Sequence, residues 1–298
     1  MIKLLTDSSS YIPLDVQVEH NITVLPLKVV VDDKEYQETA ISNDSFYKAI
    51  RKSKKKSTSL PLSVEDAVTA FEKEVKQGNA VLAVLLSSKI SDSYKNACIA
   101  SKKVLVKNPK ASITIIDSQA SCMQEGFAVI AAAKKIKEGA WLEDVIRTAE
   151  NTIKNTRLLL IPDGLKYMEY GDRIKKFQLI FAGSVQMTPI ITYIDGEIRL
   201  HEVVHTKSRA VKKAIEVFKS DIYKYGIKSV NISHIDALDE AMEIAQQVRD
   251  ISKVEEVIIS DIGPVVGAHI GPGTVGIIYE TNDSLPKAEG LKVNPFRN

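Results

Sequence analysis

One histidine, His269, sits among five glycines and two prolines in the run Gly263-Pro264-Val265-Val266-Gly267-Ala268-His269-Ile270-Gly271-Pro272-Gly273-Thr274-Val275-Gly276. An imidazole can carry a charge or pass a proton near neutral pH. Glycine admits positive φ and close backbone approach, and proline fixes φ and removes a donor. The run is therefore expected to be irregular, neither helix nor strand, and to face a ligand. A bare structural turn is the competing reading, but such a turn has no use for His269. A second group of residues could hold an anion. Apolar runs at 2–5, 80–86 and 112–116 lead into Thr6-Asp7-Ser8-Ser9-Ser10, Ser87-Ser88 and Asp117-Ser118. Hydroxyls and free amides at the carboxyl ends of strands suit a carboxylate or phosphate. The same residues could simply cap helices, yet three strands ending alike favour a polar site.

Signatures of self-sufficient catalysis are missing. The chain has no Gly-x-Ser-x-Gly elbow, no His-Glu-x-x-His and no Walker lysine loop. Gly271-Pro272-Gly273-Thr274-Val275-Gly276 matches the spacing of a dinucleotide loop, but a helix must start there and the following residues read as strand. His20, His201 and His205 are expected at the surface, and His234 at a strand end in or beside the core.

The elements that must position these groups alternate in the first half. Strands at 2–6, 80–86 and 112–116 are separated by helical patterns at 44–52, 64–76, 93–106 and 125–137, which predicts a mostly parallel sheet covered on both faces. Ser63-Val64-Glu65-Asp66 resembles a capping box, and Gly78 and Gly139 stand where helix ends need them. Residues 24–36 read as a small antiparallel piece. In the second half, strands at 158–161, 189–194, 197–204, 229–235, 256–261 and 274–280 accompany helices at 207–224 and 237–251. The pair around Asp195-Gly196 has the signal of a tight hairpin. The fold class is thus α/β and two-lobed: an N-terminal lobe with a mostly parallel α/β sheet over 1–152, and a C-terminal α+β lobe over 153–282. A loosely packed polar tail is expected over 283–298.

Composition narrows the classes. With 40 basic and 38 acidic side chains, the net charge of +2 gives no field that would recruit nucleic acid. Cys98 and Cys122 lack metal-like spacing and are expected as reduced thiols. No signal peptide is read at the N-terminus, and no apolar run reaches the ~20 residues of a membrane span. A soluble, cytoplasmic protein is expected.

Several of these segments, taken in order, resemble the motifs of the DegV-type fatty-acid-binding proteins of bacteria. They are Thr6-Asp7-Ser8-Ser9, Leu25-Pro26-Leu27 with Tyr36, and Thr58-Ser59 before Pro61. Leu86-Ser87-Ser88-Lys89-Ile90-Ser91 before Tyr94, Ile116-Asp117-Ser118 and the 267–276 run follow. The likeness extends from Thr6 to Tyr279. It implies a long-chain fatty acid held between two lobes, its acyl chain in an apolar tunnel and its carboxyl group among hydroxyls at the mouth. It further implies a carrier and not an enzyme. A separate fatty acid kinase subunit phosphorylates the presented carboxylate, in the service of phospholipid metabolism, and contact with a membrane surface is transient. No metal and no cofactor beyond the bound fatty acid is implied.

By motif position, Thr58 and Ser91 fall at the carboxylate, His269 beside it, and Arg173 where phosphate or the kinase would be engaged. Asp92 follows Ser91 where the family has glycine, and Asp172 follows Gly171 in place of a second glycine. An acid beside a carboxylate ligand repels it unless it points away or finds a cation. At about 0.8 kcal/mol per buried methylene, a long acyl chain gains on the order of 10 kcal/mol before ordering costs. Enclosure alone is therefore sufficient for tight binding. The small side chains of 127–133 could leave room for the chain or serve close helix–sheet packing. The alternative from a different class is a stand-alone phosphotransferase or hydrolase acting on a small anionic substrate.

Overall fold

A computed structural model describes residues 1–164, 167, 168 and 187–286. The chain opens with β1 (Ile2–Asp7), a single 3-10 turn at Ser8–Ser10, α1 (Leu14–Glu19), β2 (Thr23–Leu25), β3 (Lys28–Val31) and β4 (Lys34–Gln37). A second 3-10 turn at Glu38–Ala40 precedes α2 (Asn43–Lys52), β5 (Thr58–Leu60), α3 (Val64–Lys76) and β6 (Ala80–Leu85). Then come α4 (Ser93–Lys107), β7 (Ile113–Asp117), α5 (Cys122–Lys137) and α6 (Leu142–Asn155). The second half holds β8 (Thr156–Ile161), β9 (Thr188–Ile194), β10 (Glu197–Val204), α7 (Lys207–Tyr225) and β11 (Ser229–His234). It closes with α8 (Leu238–Ser252), β12 (Ile258–Asp261), α9 (Pro264–Ile270) and β13 (Val275–Glu280).

Two main sheets define the lobes. The N-terminal sheet is parallel in the order β2-β1-β6-β7. Its β6, Ala-Val-Leu-Ala-Val-Leu, is apolar at every position and lies between two neighbours with helices on both sides, as a buried parallel strand requires. The C-terminal sheet runs β10-β9-β8-β13-β11-β12, with only β11 and β12 parallel. Asp195 and Gly196 both take positive φ, 51° and 81°, which is the backbone of the tight turn expected there. The protein is a two-lobed α/β fold of the class read from the sequence.

Four local expectations change. Val24 and Leu25 belong to β2 in the parallel sheet, and only β3 and β4 form the antiparallel piece, since Pro26 interrupts the run. β5 joins β3 to make that piece a three-stranded sheet. α6 was not anticipated, although Val145, Ala149 and Thr152 form a buried stripe at helical spacing. The segment after β13 is tied down as far as residue 286: Thr281 N–H donates to Asn155 O, Asn282 N–H to Tyr225 O, and Arg157 to Pro286 O.

The glycine- and proline-rich run differs most. Residues Pro264–Ile270 form a helix, with Gly263 at its N-cap, Pro264 in the first turn and Gly271, at φ 81°, ending it. Proline costs nothing in a first turn, whose amide is unpaired in any case. Although α9 follows the C-terminal strand β12, it packs against β3, β5, α2 and the Ser8–Ser10 turn of the N-terminal lobe. No described helix is long and apolar enough to cross a membrane.

Candidate functional site

The position of α9 brings His269 onto β5. Its Nε2 lies 2.9 Å from Ser59 Oγ. One residue back, Ser57 Oγ reaches Ala268 O at 3.4 Å. Successive strand residues point to opposite faces, so Ser57 and Ser59 face α9 while Thr58 faces away from it. Thr58 is half-buried, and its hydroxyl makes no hydrogen bond among the described residues.

The Ser91 loop is fastened to the residues just past β5. Ser93 Oγ accepts from Leu62 N–H at 3.0 Å, and Asn96 Nδ2 donates to Leu62 O at 2.8 Å. Ser91 Oγ in turn accepts from Ser93 N–H at 3.2 Å and lies 2.9 Å from Ser93 Oγ. With Ser93 as the hydroxyl donor of that pair, Ser91 keeps its own proton for an external acceptor. Thr58 therefore lies on the face of β5 opposite His269, and the Ser91 loop is tied to Leu62, two residues past the end of that strand.

Asp92 is exposed, with its carboxylate 3.9 Å from Lys95 Nζ. Its φ of −78° is open to any residue, so the glycine usual here is not needed for the backbone and the acid is turned toward a cation. Arg173 and Asp172 lie outside the described residues.

α9 is capped from the other lobe. Gly263 has no side chain to cap the helix. Glu38 Oε1 accepts from Val265 N–H at 2.7 Å, and Tyr11 Oη accepts from Val266 N–H at 3.0 Å. Tyr11 Oη also lies 3.0 Å from Glu38 Oε1 and 3.2 Å from Gly263 O. Tyr47 Oη donates to Ile262 O at 2.6 Å. A Cβ at Gly263 would stand 2.7 Å from Glu38 Oε1 and 2.8 Å from Tyr11 Cε1, so the capping side chains would have to shift. At Gly267 it would stand 2.1 Å from Tyr47 Oη. Burial pushes the Glu38 carboxyl up to about 7, against hydrogen bonding from Ser8, Val265 and Tyr11. Burial, with Glu38 second, drives the Tyr11 phenol well above its ordinary value, so it stays a donor.

The three polar strand ends bond to one another. Asp7 accepts from Leu86 N–H, Ser9 N–H and Ser9 Oγ. Asp117 accepts from Ser88 N–H and Ser88 Oγ. Ser87 Oγ donates to Gly196 O across the lobes, and Leu27 N–H donates to Ser8 Oγ. The β6 loop continues to Ser91, whose neighbour Ser93 bonds to Leu62 just past β5. Beneath these ends, Glu125 takes hydrogen bonds from Thr6 and Ser9. Burial first, and the Asp7 charge second, raise its carboxyl far above the carboxylate range. Burial likewise raises Asp7.

Sequence reasoning did not single out Ser59, Glu38 or Tyr11. Ser59 was within reach, because strand alternation selects it once β5 is recognised. Glu38 carries no local signal, since its partner lies 227 residues away. His205 is exposed as expected and His234 is buried at the end of β11, whereas His20 is buried at its side chain and His201 half-buried. Among the described residues no group of three or more His, Cys, Asp or Glu is placed to hold a metal.

The two-lobed α/β fold defines the class. The chain belongs to the DegV family of uncharacterised proteins, whose family model matches residues 1–282. A DegV domain-containing protein of Clostridium acetobutylicum is 37% identical over 284 residues, covering 95% of this chain and 99% of its own. The crystal structure of DegV from Bacillus subtilis, described as a fatty acid binding protein, has a TM-score of 0.84 at 28% identity, covering 94% of this chain and 99% of that one. A stearic acid-binding protein from Eubacterium ventriosum has a TM-score of 0.88 at 22% identity, covering 95% and 99%, and bears on the fold alone.

Proposed function

We propose that this protein binds a long-chain fatty acid and presents its carboxylate, at the Thr58–Ser91–His269 group, to a separate kinase that forms the acyl phosphate. The observation that carries the proposal is the set of hydroxyls left for an acceptor. Thr58 has no protein partner among the described residues, and Ser91 can keep its proton on the loop that Ser93 ties to Leu62, just past β5. Two short hydroxyl donors suit a carboxylate. The Bacillus subtilis relative described as a fatty acid binding protein gives the acyl chain its precedent. Arg173, assigned by motif position, would engage the phosphate or the kinase. Loading from a membrane surface by transient contact fits a ligand that is itself a membrane component.

Native mass spectrometry of protein purified from a bacterial host tests the binding. Fatty acid at near one per chain is expected. A clean apo protein that also ignores added oleate would overturn the proposal.

The Ser59–His269 contact supports a second reading, because a hydroxyl on an imidazole is the start of a nucleophile–base pair. A stand-alone hydrolase or phosphotransferase would use it. Against this, Ser59 is only 9% exposed and lies in the middle of a strand, not on a turn that presents it to substrate. Turnover of an acyl ester or ATP by the isolated protein, lost in both His269→Ala and Ser59→Ala, would favour the enzyme.

A further inference from the structure

We infer that Glu38, with Tyr11, is a positioning residue for this site: it caps α9 from the opposite lobe and so holds His269 against Ser59. The significance for ligand binding rests on the fatty-acid proposal above; the positioning itself does not.

The inference follows from where the helix gets its hydrogen bonds. A helix leaves its first amides unpaired, and a side chain at the N-cap usually takes the second or third. In α9 the N-cap is Gly263 and the next residue, Pro264, has no amide to satisfy. The amides of Val265 and Val266 are left, and both are taken by the N-terminal lobe, at 2.7 Å by Glu38 and 3.0 Å by Tyr11. The first internal bond, Gly267 N–H to Gly263 O, begins only after them. A helix of seven residues has little stability of its own, so its start is fixed by these two side chains. His269 lies one turn further on, where a shift at the start moves the imidazole relative to Ser59.

Two features of the pair fit a positional task. Tyr11 holds φ 49°, a strained backbone for a bulky residue, and that backbone delivers the phenol to Val266. Glu38 uses Oε1 for both Val265 N–H and the Tyr11 phenol.

Reach and charge are separated by two substitutions. Glu38→Gln keeps the length and one carbonyl oxygen for Val265 N–H. Glu38→Asp keeps the charge but is one methylene too short. His269 is followed by its imidazole nitrogen chemical shifts, assigned among five histidines by loss in His269→Ala. Oleate affinity is measured alongside. Phe71→Leu, a core change in the same lobe, controls for general destabilisation.

The expected result is a wild-type imidazole signal in Glu38→Gln and Phe71→Leu and a displaced one in Glu38→Asp. Oleate binding should fall roughly tenfold in Glu38→Asp alone, the scale of a lost helix cap. An unmoved imidazole in Glu38→Asp, or equal displacement in both Glu38 variants, overturns the inference. If wild-type protein ignores oleate, the fatty-acid proposal falls, and the imidazole signal still decides whether Glu38 positions His269.

Discussion

Glu38→Gln should change the way stability depends on pH, and the size of the change follows from burial. Glu38 is 6% exposed. Its carboxyl titrates at about 7 in the fold against 4.5 when free. Between those values the folded form holds a proton that the unfolded form has released, so stability falls as pH rises through this window. Below 4.5 both states are protonated and the penalty is absent. At about 1.4 kcal/mol per pH unit, the full span is worth roughly 3 kcal/mol. Glutamine cannot titrate and resembles the protonated acid in shape. Urea unfolding of wild type and Glu38→Gln between pH 4.5 and 8 should therefore show the variant gaining about 3 kcal/mol on the wild type across the range. Asp7 and Glu125, whose carboxyls are also raised by burial, slope the same way in both proteins and largely cancel in the difference. A difference that stays constant with pH, to within about 1 kcal/mol, would show that Glu38 is not held neutral by its surroundings.

Gly267→Ala should destabilise by roughly 1–3 kcal/mol in thermal unfolding, because the added methyl meets Tyr47 Oη at 2.1 Å; inside an unconstrained helix the same change stabilises, so the sign of the effect is the test. Ser91→Ala should weaken oleate binding by roughly tenfold, the value of one hydrogen bond to a charged acceptor, while the purified protein still carries lipid. Full loss of copurifying lipid in that variant would place most of the binding energy at the head group instead of the chain. Arg173→Ala should keep bound lipid per chain and lower acyl-phosphate formation at fixed kinase; loss of lipid with full activity on resupply would reverse the roles given to Arg173 and Ser91.

What the sequence revealed depended on how locally each element was encoded. α3 could be bounded to the residue, because Ser63 accepts from Asp66 N–H at its start and Gly78, at φ 77°, follows its end. β6 was legible from its unbroken apolar run. β5 was not, because three residues between a lysine run and Pro61 carry no periodicity, and with β5 unseen the alternation that selects Ser59 could not be used. α9 was misread for a different reason. Its glycines argue against helix by propensity, yet Gly263 is there to admit Glu38, and Gly267 to admit Tyr47. Their cause is tertiary contact, which a local reading has no means to weigh. The repeated serine and aspartate strand ends were legible as a pattern, but most of them bond to each other. Of the hydroxyls that remain available, Ser91 lies a few residues past one such end and Thr58 on β5.

The dependence of α9 on the N-terminal lobe has a consequence for the order in which a ribosome makes this protein. β1 to α6 are complete by Asn155, yet the helix that finishes their site begins at Pro264, 109 residues later. At about 5–20 residues per second, the emerging lobe waits roughly 5–20 s with β5, Tyr47 and Glu38 uncovered. During that interval Glu38 has no amide to meet and the apolar bed of α9 is open to solvent. Chaperone contact with nascent chains should therefore concentrate on residues 27–60, and should end when α9 docks.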